Sequence, residues 1–189
     1  MNRTYLTSTE LASAIARGVR QLVFIGNQNN PELNLASTAE GSLQLFTVNE
    51  QTAVDSTATF VPTEFRSEEL ASALSRSSFD KLKASLFIWL GDASYRTVDA
   101  ALATLSFIAS LPEGTGVIFD YAAEHNSAGS FAGTALDALA SRISCAGVVK
   151  HMIQPQALAA MLRSLGFGQI TDHIDELSPQ GGHIVTACI

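Results

Sequence analysis

The sequence predicts an α/β three-layer sandwich, with helices on both faces of a seven-stranded, mostly parallel sheet that finishes in an antiparallel hairpin. Three observations lead there. Short apolar runs ending in glycine or proline recur along the chain, such as Leu22–Ile25 before Gly26 and Leu86–Leu90 before Gly91; this is how strands buried on both faces read. Helix-periodic segments separate most of these runs, so successive strands are expected to lie parallel. The last two runs are joined only by Ser178-Pro179-Gln180-Gly181-Gly182, a turn-rich link that suits an antiparallel pair.

The elements follow in order. Thr7-Ser8-Thr9-Glu10 fits a capping box, and Leu11, Ala14, Ile15 and Val19 continue at helical spacing to an exit at Gly18. Leu22–Gly26 is the first strand, Leu43–Val48 the second and Thr57–Val61 the third, closed by Pro62. Ser67 is expected to cap a helix with Glu68 and Glu69 in its first turn, where acids suit the helix dipole. Leu86–Leu90 is the fourth strand, and Thr97 opens a helix with Val98, Leu102, Leu105 and Ala109 on one face. Val117–Asp120 is the fifth strand, Ala122–Gly129 reads as a loop, and Phe131, Leu136, Leu139 and Ile143 suit a helix after it. Pro155 starts a helix through Leu158, Met161, Leu162 and Leu165 that ends at Gly166, before the strands Gln169–Ile174 and His183–Cys188.

At 189 residues with 47% hydrophobic and 15% charged side chains, the chain reads as one domain, residues 1–189, and is too apolar for disorder. Eleven Lys+Arg against eighteen Asp+Glu give a formal charge of −7, which lacks the basic footprint of a nucleic-acid or anionic-membrane surface. Cys145 and Cys188 are too few for a disulfide framework; two reduced thiols are expected, with a single bridge as the alternative. Met1-Asn2-Arg3-Thr4-Tyr5 has no secretory pattern, and no apolar stretch is long enough to span a bilayer. A soluble, cytoplasmic protein is expected.

Three stretches carry a resemblance. They are Arg3-Thr4 followed by a helix and Gly18-Val19-Arg20-Gln21-Leu22-Val23-Phe24-Ile25-Gly26; Leu86–Tyr95 running on to Leu111-Pro112-Glu113-Gly114-Thr115 and Phe119-Asp120-Tyr121; and Leu162-Arg163-Ser164-Leu165-Gly166-Phe167. Together they resemble the leucine carboxyl methyltransferase-like family of class I S-adenosylmethionine (SAM)-dependent O-methyltransferases, whose sheet also ends in an antiparallel hairpin. That family usually carries further helices ahead of the Arg-Thr pair; this chain starts at the pair, so the resemblance implies the sheet core without that extension.

The resemblance implies SAM as cofactor and a small-molecule acceptor. In the family, the loop after the first strand is glycine-rich with an Asp and an Arg. Here Gly26 is kept while Gln28, Asn30 and Glu32 stand at the second Gly, the Asp and the Arg. A polar strand-to-helix loop is the favoured reading of Asn27–Asn30. Asn49 replaces the acid that binds the ribose hydroxyls, losing charge assistance of about 1 kcal/mol. Glu64 stands where an acid reaches the adenine amino group, or is a surface acid, and Phe65 is placed to pack on the ring. Arg3 matches the arginine that pairs with the cofactor carboxylate, or is a frayed terminal side chain.

Leu90 replaces the glutamate of the family's fourth strand. Tyr95 matches a recurrent tyrosine, as a substrate contact or as a ring packed on the next helix. Asp120 ends the fifth strand at the edge where open α/β sheets bind ligands, unless it only caps the following loop. The cofactor side of the crevice is thus Arg3, Gly26, Asn49, Glu64 and Phe65, with Tyr95 and Asp120 nearer the acceptor. His125, His151, His173 and His183 show no metal-ligand spacing. Glu124-His125 is an acid–imidazole neighbour best read as a solvated loop. No nucleophile elbow, phosphate loop or G-x-G-x-x-G occurs.

Methyl transfer to an ionised carboxylate is mostly positioning, so a missing general base does not count against it; altered cofactor positions do. Two readings stand: a SAM-dependent O-methyltransferase acting on a carboxylate or hydroxyl, and a catalytically inactive relative serving as a binding or assembly module, through self-association into a homo-oligomer.

Overall fold

The structure is a computed structural model that describes residues 3–26, 43–49, 58–63, 69–90, 98–123, 152–174 and 182–189. Helix α1 (Arg3–Ala16) begins four residues ahead of the expected capping box. The box residues lie inside the helix: Thr7 Oγ1 donates to Arg3 O at 3.0 Å, and Ser8 Oγ and Thr9 Oγ1 both donate to Tyr5 O at 2.9 Å. Hydroxyls that bond back to the preceding turn fit a helix interior, and burying Leu6 and Thr7 beside Leu11 and Ala14 favours the longer helix. Gly18 ends it at φ 97°, with Val19 N–H on Ala14 O and Gly18 N–H on Ile15 O, both at 3.0 Å. This paired exit needs a left-handed residue, which glycine supplies without a Cβ clash.

Strand β1 (Gln21–Ile25) is buried throughout and lies parallel between β2 (Gln44–Asn49) and β4 (Ser85–Trp89). Beyond β2 runs β3 (Thr59–Pro62), and beyond β4 runs β5 (Gly116–Ala123), both parallel. The closing strands β7 (Gln169–Ile174) and β8 (Gly182–Cys188) are antiparallel, with β8 inserted between β5 and β7. The seven-stranded order is β3-β2-β1-β4-β5-β8-β7; the two-residue β6 (Met152–Ile153) adds a parallel pairing with Ala122–Ala123.

Strand β5 therefore runs three residues past the expected Asp120, and the loop reading of Ala122 is corrected. Those residues stay extended because their backbones bond to β8 on one side and β6 on the other. Gly116 opens the strand where a Cβ would sit 3.2 Å from Cys188 Sγ and 3.3 Å from Ala187 O.

Alternation along the strands divides the core. Val23, Phe46, Phe87, Val117, Phe119 and Val185 pack beneath α2 (Leu70–Ser75), α3 (Val98–Ala109) and α4 (Pro155–Leu165). Leu22, Phe24, Leu45, Ile88, Ile118 and Ile184 pack beneath α1. Phe79, from the segment after α2, meets Phe46 edge-on at 5.6 Å and Phe87 at 6.1 Å between ring centroids, a favoured aromatic geometry.

Helix α2 departs from expectation at its start. Glu69 is the extended boundary residue (φ −77°, ψ 144°) with no side-chain cap bond, rather than a first-turn acid; Leu70 is the first residue whose side chain reaches the core. Ser67, Glu68, Thr97 and the helix expected over Phe131–Ile143 lie outside the described residues. Helix α4 has Pro155 in its first turn and leaves through Gly166 at φ 113°, as expected. Among the described residues, no helix is long and apolar enough to cross a membrane.

A buried amide ties the opposite, amino edge of the sheet. Gln21 Nε2 donates to Asp80 O at 2.9 Å and to Ser85 Oγ at 3.0 Å, while its Oε1 accepts from Asp80 N–H at 2.8 Å. Ser85 N–H in turn donates to Thr115 Oγ1 at 3.2 Å. Gln21→Leu strands these groups and is expected to cost about 1–3 kcal/mol. Urea unfolding should show a lower midpoint at unchanged slope; an unchanged midpoint would remove the network from the stability of the sheet.

Candidate functional site

Strand order reverses direction at β1, so the crevice between the carboxyl ends of β1 and β4 is the topological switch point where open α/β sheets bind ligands. Gly26 leaves β1 at φ 106°, with its N–H on Val48 O at 3.0 Å. That conformation favours glycine and lets the chain turn sharply over the edge. Asn49 ends β2 buried at 4% exposure, and its carbonyl accepts Thr63 N–H at 3.1 Å. Leu90, at the position of the family's glutamate, is 5% exposed in the cluster that contains Leu6, Leu11 and Ile118.

Asn49 and Asp120 share the sheet face covered by α1, by the alternation that places Leu45 and Ile118 there. Three strand spacings, roughly 14 Å, separate their strands. The two therefore flank the crevice without touching.

The structure brings Arg3 and Asp120 together. Arg3 Nη1 lies 3.5 Å from Asp120 Oδ2, with side-chain exposures of 27% and 33%. Arg3 is held within the first turn of α1, so it is not a frayed terminal side chain, and its partner here is an acid of the protein. Glu64, Phe65 and Tyr95, with Gln28, Asn30, Glu32 and the Glu124-His125 pair, lie outside the described residues.

A second group of polar side chains occupies the other face of the same edge, and sequence reasoning did not find it. Asp172 Oδ2 accepts from Tyr121 Oη at 3.0 Å and lies 2.9 Å from His183 Nδ1. The Tyr121 and His183 rings are 5.4 Å apart between centroids. Residues 62 and 51 positions apart are joined here because Tyr121 pairs with His183 across β5–β8 while Asp172 sits diagonally on β7. Recognising them needs the register of both antiparallel pairs, which local patterns do not supply. Burial pushes the Tyr121 phenol well above the usual range, and the charge and hydrogen bond of Asp172 add to the shift. Among the described residues, no group of three or more His, Cys, Asp or Glu could hold a metal ion.

Comparison by sequence finds no matching family model and no matching curated protein. Comparison by structure finds close likeness of fold. A SAM-dependent methyltransferase from Archaeoglobus fulgidus is similar at TM-score 0.61 and 13% identity, over 98% of this chain and 94% of that one. A DUF574 family protein from Streptomyces avermitilis is similar at TM-score 0.61 and 13% identity, over 98% and 80%. Magnesium protoporphyrin IX methyltransferase from Synechocystis, solved with S-adenosylhomocysteine bound, is similar at TM-score 0.56 and 13% identity, over 98% and 82%. The architecture is that of class I methyltransferases. Gly26, where the backbone can approach a ligand closely, and Asn49, an amide at the end of β2, are compatible with such a cofactor, whereas Arg3 is engaged by Asp120.

Asp172→Asn removes a charge that opposes ionisation of Tyr121 and should lower the pH at which that phenol titrates, read by ultraviolet difference titration. The sign for stability follows from a pKa that is higher folded than unfolded. Tyr121 stabilises the fold fully below the unfolded phenol value of about 10, and that contribution is lost as pH rises toward the folded value. An unchanged titration in the variant would contradict the contact.

Proposed function

We propose that this protein is a SAM-dependent O-methyltransferase acting on a small molecule, akin to the leucine carboxyl methyltransferase-like family. The reading is supported above all by the placement of Gly26 and Asn49 at the ends of β1 and β2, beside the switch point of a class I methyltransferase sheet. Its location is cytoplasmic, in keeping with an acidic chain of two cysteines.

The bound cofactor supplies an electrophilic methyl group on a sulfonium. The chain's task is orientation and exclusion of water. Gly26 lets backbone lie close to the cofactor, and the Asn49 amide accepts a ribose hydroxyl. Arg3 exchanges Asp120 for the cofactor carboxylate, an exchange made easier because a partly exposed ion pair is weakly held.

One observation favours a second reading. With Arg3 paired to Asp120 and Leu90 packed in the core, two positions associated with the chemistry in the resembling family are engaged within the protein. A non-catalytic module that uses the fold for binding or self-association would show this too.

Titration calorimetry with S-adenosylhomocysteine separates the two. Binding is expected. Asn49→Ala should weaken it about 5- to 10-fold, the loss of one hydrogen bond, and Asp120→Asn should tighten it several-fold by releasing Arg3. No heat at millimolar ligand from a folded sample overturns the enzyme reading, and a self-associating species in light scattering would then support the module.

A further inference from the structure

We propose that β7 is the strand through which two copies of this chain join, pairing antiparallel about a two-fold axis at Thr171; the inference rests on the self-association in the second reading above. The sheet has two edges, β3 and β7. Strand β3 is four residues long and closes on Pro62, which has no N–H to give a further neighbour. Strand β7 runs for six residues, Gln169-Ile170-Thr171-Asp172-His173-Ile174, with no proline, lysine or arginine. Among the described residues it pairs with β8 alone. Along Gln169–His173 its outer side therefore offers a row of backbone donors and acceptors.

The side chains do little to blunt that edge. Asp172 is the one acid of the strand, and its carboxylate is turned onto Tyr121 and His183 of its own chain. Ile170 and Thr171 are β-branched, as paired strands favour, and Ile174 stands 62% exposed. Natural edges are shielded by lysine, proline, bulges or short length, or else they are covered. Strand β3 shows two of those devices and β7 shows none of them.

The strand selects a second copy as its partner because one register matches it to itself. A two-fold axis places one residue opposite its own copy. Centred on Asp172, two carboxylates would face each other, which is destabilising. Centred on Thr171, the overlap takes in all of residues 168–174, and threonine meets threonine, a favourable cross-strand pair. Asp172 then stands opposite the partner's Ile170, away from its own copy. Gln169 lies opposite the partner's His173, and an amide can bond an imidazole of either tautomer. Ile174 lies opposite the partner's Gly168, where an added Cβ would meet nothing within 4 Å, so the exposed isoleucine has open space to fill. A pairing of this length covers less than the roughly 800 Å² per partner of a stable interface, and each copy carries a formal charge of −7. The dimer is therefore weak at low salt and tightens as salt screens the repulsion.

The test is sedimentation velocity of the full-length protein from about 1 μM to about 1 mM, with circular dichroism to show that each variant is folded. A concentration-dependent dimer is expected. Thr171→Lys, which sets two cations face to face at the axis, and Ile174→Lys should each weaken it about tenfold or more. Leu82→Lys, at an apolar side chain 87% exposed elsewhere, should leave it unchanged. Under mild oxidation Thr171→Cys should give a covalent dimer beyond any formed by the wild-type thiols, because the axis brings that position within disulfide reach of its copy. Gln169→Cys, four residues from its own copy along the join, should not. A dimer indifferent to both lysine variants at β7, or a covalent dimer from Gln169→Cys and none from Thr171→Cys, overturns the proposal and leaves self-association to another surface. A monomer throughout the concentration range overturns self-association, and this inference with it.

Discussion

Strand β8 runs antiparallel to both of its neighbours, and that reversal organises the molecule. It delivers the start of the last strand to the carboxyl edge, where Tyr121 and Asp172 meet His183, and its end to the amino edge. There Ile189 N–H donates to Thr115 O at 3.0 Å and Gly114 N–H to Ile189 O at 3.3 Å, closing the turn that feeds β5. A parallel last strand would need a long crossover and would bring its final residues, not its first, to the site.

Charge at the carboxyl edge is handled pairwise. Asp120 faces Arg3 on the side of α1, and Asp172 faces Tyr121 and His183 on the other. An arginine in the first turn of a helix is disfavoured by the helix dipole, so the Asp120 carboxylate helps hold α1 against the sheet. The two acids thus do different work. One restrains the Arg3 guanidinium at the start of α1, and the other holds the Tyr121 hydroxyl and the His183 ring together.

Much of the fold was legible because it is written in local patterns. The apolar runs at Leu22–Ile25 and Leu86–Leu90, the left-handed exits at Gly18 and Gly166, and the proline start of α4 each depend on a few adjacent residues. The errors arose where distant partners decide. Thr7, Ser8 and Thr9 are as good inside a helix as at its start, and the burial of Leu6 settles the matter. Residues 121–123 stay in the sheet only because β6 and β8 flank them. Motif positions singled out Gly26, Asn49, Arg3 and Asp120, which lie at the carboxyl edge of the sheet or against it. The pairing of Arg3 with Asp120 and the cluster on Asp172 were not legible that way, because each joins residues that only tertiary register makes neighbours.

The burial of Leu90 limits what position 90 can become. Packed in the cluster that contains Leu6 and Leu11, it occupies a place where a carboxylate would have to be desolvated without an assured partner, at a cost of several kcal/mol. A glutamate at position 90 would require α1 to draw back or repack, so that substitution should cost the fold before it could add any charge to the edge. Any activity this chain has must be built from the side chains the edge still offers.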